Sequence, residues 1–229
     1  MRSARSLSNP SIAASIFSLL FLPLCAHAQQ DDLVELDALL GSIDTLSADV
    51  EQLIVESDGG VLEESQIRMQ LKKPNGFYWE TLLPFPELVV TDGQLLWNYQ
   101  PDLDQVVIES WDSDRSELAA QLLSGQTENL GSEYETSLAP GVTDEITEFV
   151  LTPLAMDSVY AQIKITFLRE ELDMIHLRNK NGEQTVWRFS AVVRNANIPD
   201  DVFVFVPPEG IEVIENTYVN SNVNTDVNN

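Results

Sequence analysis

Along most of this chain apolar and polar residues alternate with period two, and two short stretches replace that pattern with helical spacing. Leu33, Leu36, Leu39, Leu40 and Ile43 recur at three- and four-residue intervals behind Asp31-Asp32, which can cap a helix there. A second helix is predicted over 116–124, with Leu118, Leu122 and Leu123 on one face and Gly125 as its stop. The alternating runs begin with 49–55 and 66–72, joined through Asp58-Gly59-Gly60. Asp92-Gly93 makes a further hairpin between 87–91 and 95–99. The runs 106–108, 148–151 and 160–167 follow, and Glu170-Glu171 reads as a polar hairpin turn. Asn179-Lys180-Asn181-Gly182 links 172–177 to 185–193, and 202–206 closes the series.

Helices do not intervene between successive strands as they would in βαβ units, so the sheet is predicted to be antiparallel. The class is mainly β (α+β): a meander of about ten strands with two or three short helices. Such a sheet must bury its apolar face, and two short amphipathic helices are too little to fill a closed core. A curved sheet with helices across its open side encloses a cavity instead. Within the meander, Phe77 and Trp79 stand two apart and share one face, forming a broad apolar wall. That wall suits a large core or an apolar ligand.

The ends differ from the body. Arg2 and Arg5 precede a short apolar run over 12–22, and Ala26-His27-Ala28 supplies an A-x-A cleavage site. Residues 1–28 therefore read as a cleaved signal peptide, and the chain as exported. Cys25 offers a second reading as a lipidated cysteine, but Pro23-Leu24 before it lacks the small residue such signals need. Residues 29–215 form one domain, and the Asn-rich 216–229 reads as a disordered tail.

Charge narrows the partners. The chain has 37 acidic and 12 basic residues, two of the basic ones inside the signal, so the mature charge is 10 − 37 = −27. That field repels nucleic acid and anionic membrane surfaces. After cleavage no cysteine remains and His176 is the sole imidazole, set in an alternating run where it reads as a solvent-facing strand residue. That inventory gives no support to a Ser-His-Asp or Cys-His centre, and none to structural zinc. Asp102-Leu103-Asp104 and Asp112-Ser113-Asp114 have a D-x-D spacing, yet neither continues into a calcium loop. No acid/base pair stands out among the carboxylates and no Gly-rich phosphate loop is present, so the reading is non-enzymatic and without cofactor or metal.

Three segments carry a resemblance: Lys72-Lys73-Pro74-Asn75-Gly76-Phe77-Tyr78-Trp79; Asp92-Gly93 with Leu96-Trp97-Asn98-Tyr99 and the 101–106 run after it; and the ending from Phe203 to Ile214. In that order, behind a signal peptide, they resemble the LolA family of periplasmic outer-membrane lipoprotein carriers. The resemblance implies an incomplete antiparallel barrel of about ten to eleven strands under a short-helix lid, enclosing an apolar cavity. It implies a monomeric chaperone that takes acylated lipoproteins from an inner-membrane ABC transporter and delivers them to an outer-membrane receptor. Carried over by position, Phe77, Trp79, Val90 and Trp97 would line the acyl-chain cavity, and Leu118, Leu122 and Leu123 would belong to the lid. An arginine that latches the lid usually precedes the motif's proline; here Lys73 holds that place, without the planar five-donor fork. The alternatives are a lipid-sensing regulatory or general lipid-binding module of the same fold, and the outer-membrane acceptor itself, which would require a lipidated Cys25.

Overall fold

A computed structural model describes residues 25–111, 130–140 and 145–216. Its strands are β1 (Thr45–Val55), β2 (Val61–Lys72), β3 (Gly76–Leu83), β4 (Glu87–Thr91), β5 (Leu95–Gln100) and β6 (Gln105–Ser110). They continue as β7 (Tyr134–Leu138), β8 (Ile146–Pro153), β9 (Tyr160–Leu168), β10 (Glu171–Asn179), β11 (Gln184–Arg194) and β12 (Glu212–Asn216). Helices α1 (Cys25–Gly41) and α2 (Leu130–Glu133) complete the described elements, with 3-10 turns at Pro101–Leu103 and Asp200–Phe203.

All twelve strands join one sheet in the order β12-β6-β5-β4-β3-β2-β1-β11-β10-β9-β8-β7. Its ends, β12 and β7, do not meet, so the barrel is incomplete. The predicted hairpins form. Arg169 and Glu170 both adopt positive φ (52° and 66°), the geometry of a tight turn between β9 and β10. One pairing departs from expectation, because β12 runs parallel to β6, with Val213 opposite Val106.

The sheet curls around α1. Leu36, Leu40 and Ile43 are fully buried in one cluster with Met69 and Phe77 on one side and Phe149 and Phe167 on the other. β3 and β8 lie six steps apart in the sheet, about 29 Å if flat, whereas a helix is only about 10–12 Å across. Only a strongly bent sheet lets one helix reach both. Register shifts supply bends, including one between Ser47 and Asp49 opposite Ala191, whose φ is 50°.

Three boundaries differ from the sequence reading. Helix α1 starts before Asp31-Asp32, so Asp32 is no cap; its carboxylate instead accepts the Leu138 amide of β7 at 3.0 Å. The strand expected at 202–206 is a 3-10 turn followed by irregular chain. Pro199, Pro207 and Pro208 withhold ladder donors around it, and its apolar residues pack individually: Phe203 is buried, and Phe205 lies 5.2 Å from the Tyr99 ring. Strand β7 was not anticipated. The helix predicted over 116–124, with Leu118, Leu122 and Leu123, lies outside the described residues, as do most of the expected signal peptide and residues beyond Asn216, itself the last residue of β12.

Candidate functional site: an aromatic cavity on the inner face

The inner face changes character along each strand. On β1, Leu46, Ala48 and Val50 are buried in the core, while Gln52 beyond them is half-buried. On β2 the row runs Leu71, Met69, Ile67, then Ser65 and Glu63. On β3 it passes from buried Phe77 to half-buried Trp79 and Thr81. The apolar end packs under α1; the other end opens into a cavity of about 340 Å³. Phe77, Trp79, Val89 and Trp187 form its apolar walls, Gln52, Glu63 and Glu87 its polar ones, and Pro84 and Phe85 of the β3–β4 turn its lip. Phe85 is 73% exposed there.

The rings form a connected wall. Phe77 and Trp79 stack with centroids 5.9 Å apart, and Trp79 meets Trp187 edge-on at 6.0 Å. Such contacts fix ring orientation beyond what area burial alone would do. The Trp187 indole nitrogen donates to Gln52 Oε1 at 2.7 Å, which ties β11 to β1 at the cavity floor. Trp187 was missed from sequence; its signal was an indole in an alternating run, needing a partner that only the fold supplies. A larger cleft of about 770 Å³ lies near the end of α1, but Glu35, Glu145, Arg169, Glu171 and Arg194 line it. Its charged walls do not suit an acyl chain.

Val90 and Trp97 do not belong to this wall. Register places Val89 opposite Trp79 and Val90 opposite Tyr78, so Val90 and its partner Trp97 point to the outer face. There they are buried with Val106, Ile198 and Phe203 under the segment leading to β12. Lys72, also outward, donates to Ile198 O at 2.8 Å and pairs with Asp200. Gly76 admits this strap, since a Cβ there would stand 3.0 Å from Phe203 Cδ2. The outward set is thus packing, and the acyl-wall expectation for Val90 and Trp97 is corrected.

Lys73 faces the other way and reaches α1. Its Nζ donates to Leu40 O at 2.9 Å, with Gly41 O at 3.5 Å. These are carbonyls of the final helical turn, where the helix dipole attracts cations; Leu40 O also accepts the Ile43 amide at 3.2 Å. Burial pulls the Lys73 pKa below 10.5, against the opposing pull of Asp44 and Asp37. Asn195 secures the adjoining junction: its Nδ2 donates to Ser42 O at 2.9 Å, and its Oδ1 accepts the Asp44 amide at 2.8 Å. His176 is half-buried rather than free in solvent, with Nε2 2.9 Å from Gln184 Oε1. Among the described residues no cluster of three or more His, Cys, Asp or Glu could hold a metal.

The family model for the outer membrane lipoprotein carrier protein LolA matches residues 41–206. The chain belongs to the LolA family. Outer-membrane lipoprotein carrier proteins are among its relatives. That of Chromohalobacter salexigens is 35% identical over 202 residues, covering 88% of this chain and 95% of the relative. That of Hahella chejuensis is 33% identical over 179 residues, covering 78% and 86%. The fold is similar to that of a conserved protein from Thermus thermophilus, with a TM-score of 0.52 at 14% identity, over 81% of this chain and 98% of that one. The family match spans most of the described domain, and the Chromohalobacter and Hahella relatives both carry the name outer-membrane lipoprotein carrier protein.

Proposed function

We propose that the protein works in the periplasm as a non-catalytic carrier: it accepts lipoproteins released from the inner membrane by an ABC transporter, shields their acyl chains on its inner face, and delivers them to an outer-membrane receptor. The observation that carries this reading is the aromatic cavity continuing, along the same strands, into the apolar surface beneath α1. Each methylene removed from water contributes about 0.8 kcal/mol, so an acylated protein needs a covered route through water. At about 340 Å³ the cavity sits near the lower end of ligand-sized pockets, roughly 300–1,000 Å³. Cargo with several chains therefore needs more of the inner face, which α1 uncovers by moving. Lys73 acts as the latch that holds α1 closed until cargo arrives, and Phe77, Trp79 and Trp187 provide the acyl-chain wall.

The test is native mass spectrometry of the protein purified from periplasm, followed by transfer to the outer-membrane receptor. Co-purifying acylated lipoprotein that passes to the receptor supports the carrier. A protein that takes up free lipid but no lipoprotein instead supports the general lipid-binding module.

A further inference from the structure

Along β1 to β6 the charges on the inner face are one-sided, while Lys73, in the loop after β2, is bonded to the end of α1. On β1 to β6 the inner positions hold three carboxylates, Glu63, Glu87 and Glu109, and no lysine or arginine. The basic residues of these strands, Arg68 and Lys72, both point outward; Arg68 pairs there with Glu80 at 2.9 Å. Two of the three inner carboxylates line the aromatic cavity.

Neutral donors fix both of them. Glu63 Oε1 accepts Ser65 Oγ at 2.6 Å and Gln52 Nε2 at 3.4 Å, and Gln52 is itself oriented by the Trp187 indole. Glu87 Oε1 accepts Gln100 Nε2 at 3.1 Å, and Gln100 Oε1 accepts Gln105 Nε2 at 2.6 Å. Amides and hydroxyls orient a carboxylate without cancelling its charge. Aromatic rings in the wall can add negative quadrupole, which attracts cations and repels anions. An acyl chain entering here brings its linkage group close to two fixed negative charges beside an apolar wall.

Resting on the carrier reading, we propose that this cavity selects its ligand by the charge next to the acyl chain. Chains joined to neutral or cationic groups are accepted, and anionic amphiphiles are turned away. Lipid attached to a protein through ester, amide or thioether bonds carries no phosphate. Phospholipids and free fatty acids do carry an anion at that point. Glu63 and Glu87 thereby keep abundant membrane lipid out of a site built for acyl chains.

The experiment titrates the full mature protein with three probes of one chain length, all below micelle formation: dodecyl maltoside, dodecyltrimethylammonium and dodecanoate. Intrinsic tryptophan fluorescence reports binding, because Trp79 and Trp187 line the cavity. The expected result is comparable affinity for the first two and about tenfold weaker binding of dodecanoate. The double variant Glu63→Gln/Glu87→Gln should raise dodecanoate to within about twofold of the maltoside. A matched outer-face control, Glu51→Gln/Glu64→Gln, should leave the ratio as in the parent; Glu87→Gln alone serves if the inner double variant does not fold. Equal binding of all three probes by the parent overturns the selectivity and leaves the carrier standing. So does an outer-face control that relieves discrimination as well as the inner variant, since the whole-protein field would then be responsible. Failure of every probe to bind overturns the carrier reading too.

Discussion

Lys73→Met isolates the latch, because it keeps an apolar stem of similar reach while deleting the ammonium that bonds Leu40 O at 2.9 Å. A hydrogen bond from a charged donor contributes about 1.5–3 kcal/mol, and a cation at a helix C-terminus about 0.3–1 kcal/mol. Burial opposes this and outweighs the pull of Asp44 and Asp37 on the charge, as the lowered Lys73 pKa records, so the low end applies and a net loss of about 1 kcal/mol or less is expected. That is a change of about fivefold or less in the equilibrium for lifting α1. The helix stays docked, since Leu36 and Leu40 remain buried and Asn195 still holds Ser42 and Asp44. Hydrogen exchange read by mass spectrometry should therefore quicken by up to about fivefold in α1 peptides and hardly at all in the β9–β10 hairpin. Lys73→Arg, with more donors toward the same carbonyls, should slow α1 exchange. The pH dependence has a definite sign. A lysine pKa lowered in the fold means the unfolded chain binds more protons in the window just below 10.5, so the parent gains stability over Lys73→Met as pH rises through it. Unchanged α1 exchange in Lys73→Met, or an equal rise in the β9–β10 hairpin, would refute the latch.

Trp79→Glu should keep a cooperative unfolding transition, because Trp79 is half-buried at the cavity, yet lose dodecyl maltoside binding by fluorescence titration. Gly93→Ala should lower stability by about 1–3 kcal/mol in urea unfolding, since φ there is +88° and the new Cβ would meet Asn75 Cβ at 2.3 Å. Tyr78 should ionise late in an ultraviolet titration, near 12, because burial and then Glu80 raise its pKa. The fold keeps a proton there that the unfolded chain loses near 10, so stability from this group is complete below 10 and declines as pH climbs towards 12.

Period-two alternation located ten of the twelve described strands, because most have one buried face and one wet one. β7 escaped notice: Tyr134, Thr136 and Leu138 alternate with Glu135 and Ser137, but the flanking Glu, Gly and Pro imitate a loop. β12 escaped for a different reason, since its partner β6 is parallel and more than a hundred residues away, which no local pattern encodes. Conversely, Val202 to Val206 read as a strand through their hydrophobicity, yet they pack one by one onto the outer face between prolines. The site was half legible. That Phe77 and Trp79 share a face followed from spacing, and their expected place on a cavity wall came from the resemblance, as did that of Val90, whose facing only register corrects. The Lys73 expectation came from the resemblance, and the bond to Leu40 O supplies its geometry.

Adjacent lysines at the end of β2 and just beyond it serve opposite faces. Lys72 holds the strap through Ile198 O and Asp200, and Lys73 holds α1 through Leu40 O. The strap side is a packed apolar cluster around Trp97 and Phe203 with polar ties from Lys72. The α1 side differs in kind. Leu36 and Leu40 touch the inner face through apolar contacts that an acyl chain reproduces methylene for methylene. The polar bonds at the end of α1, from Asn195 to Ser42 and Asp44 and from the Lys73 amide to Asp44 O, have no such substitute in a lipid. The geometry therefore favours an opening that swings α1 about 42–45, exchanging helix leucines for cargo while the junction stays bonded. Under the proposed carrier function, cargo would take the place of the α1 leucines and leave when α1 closes again.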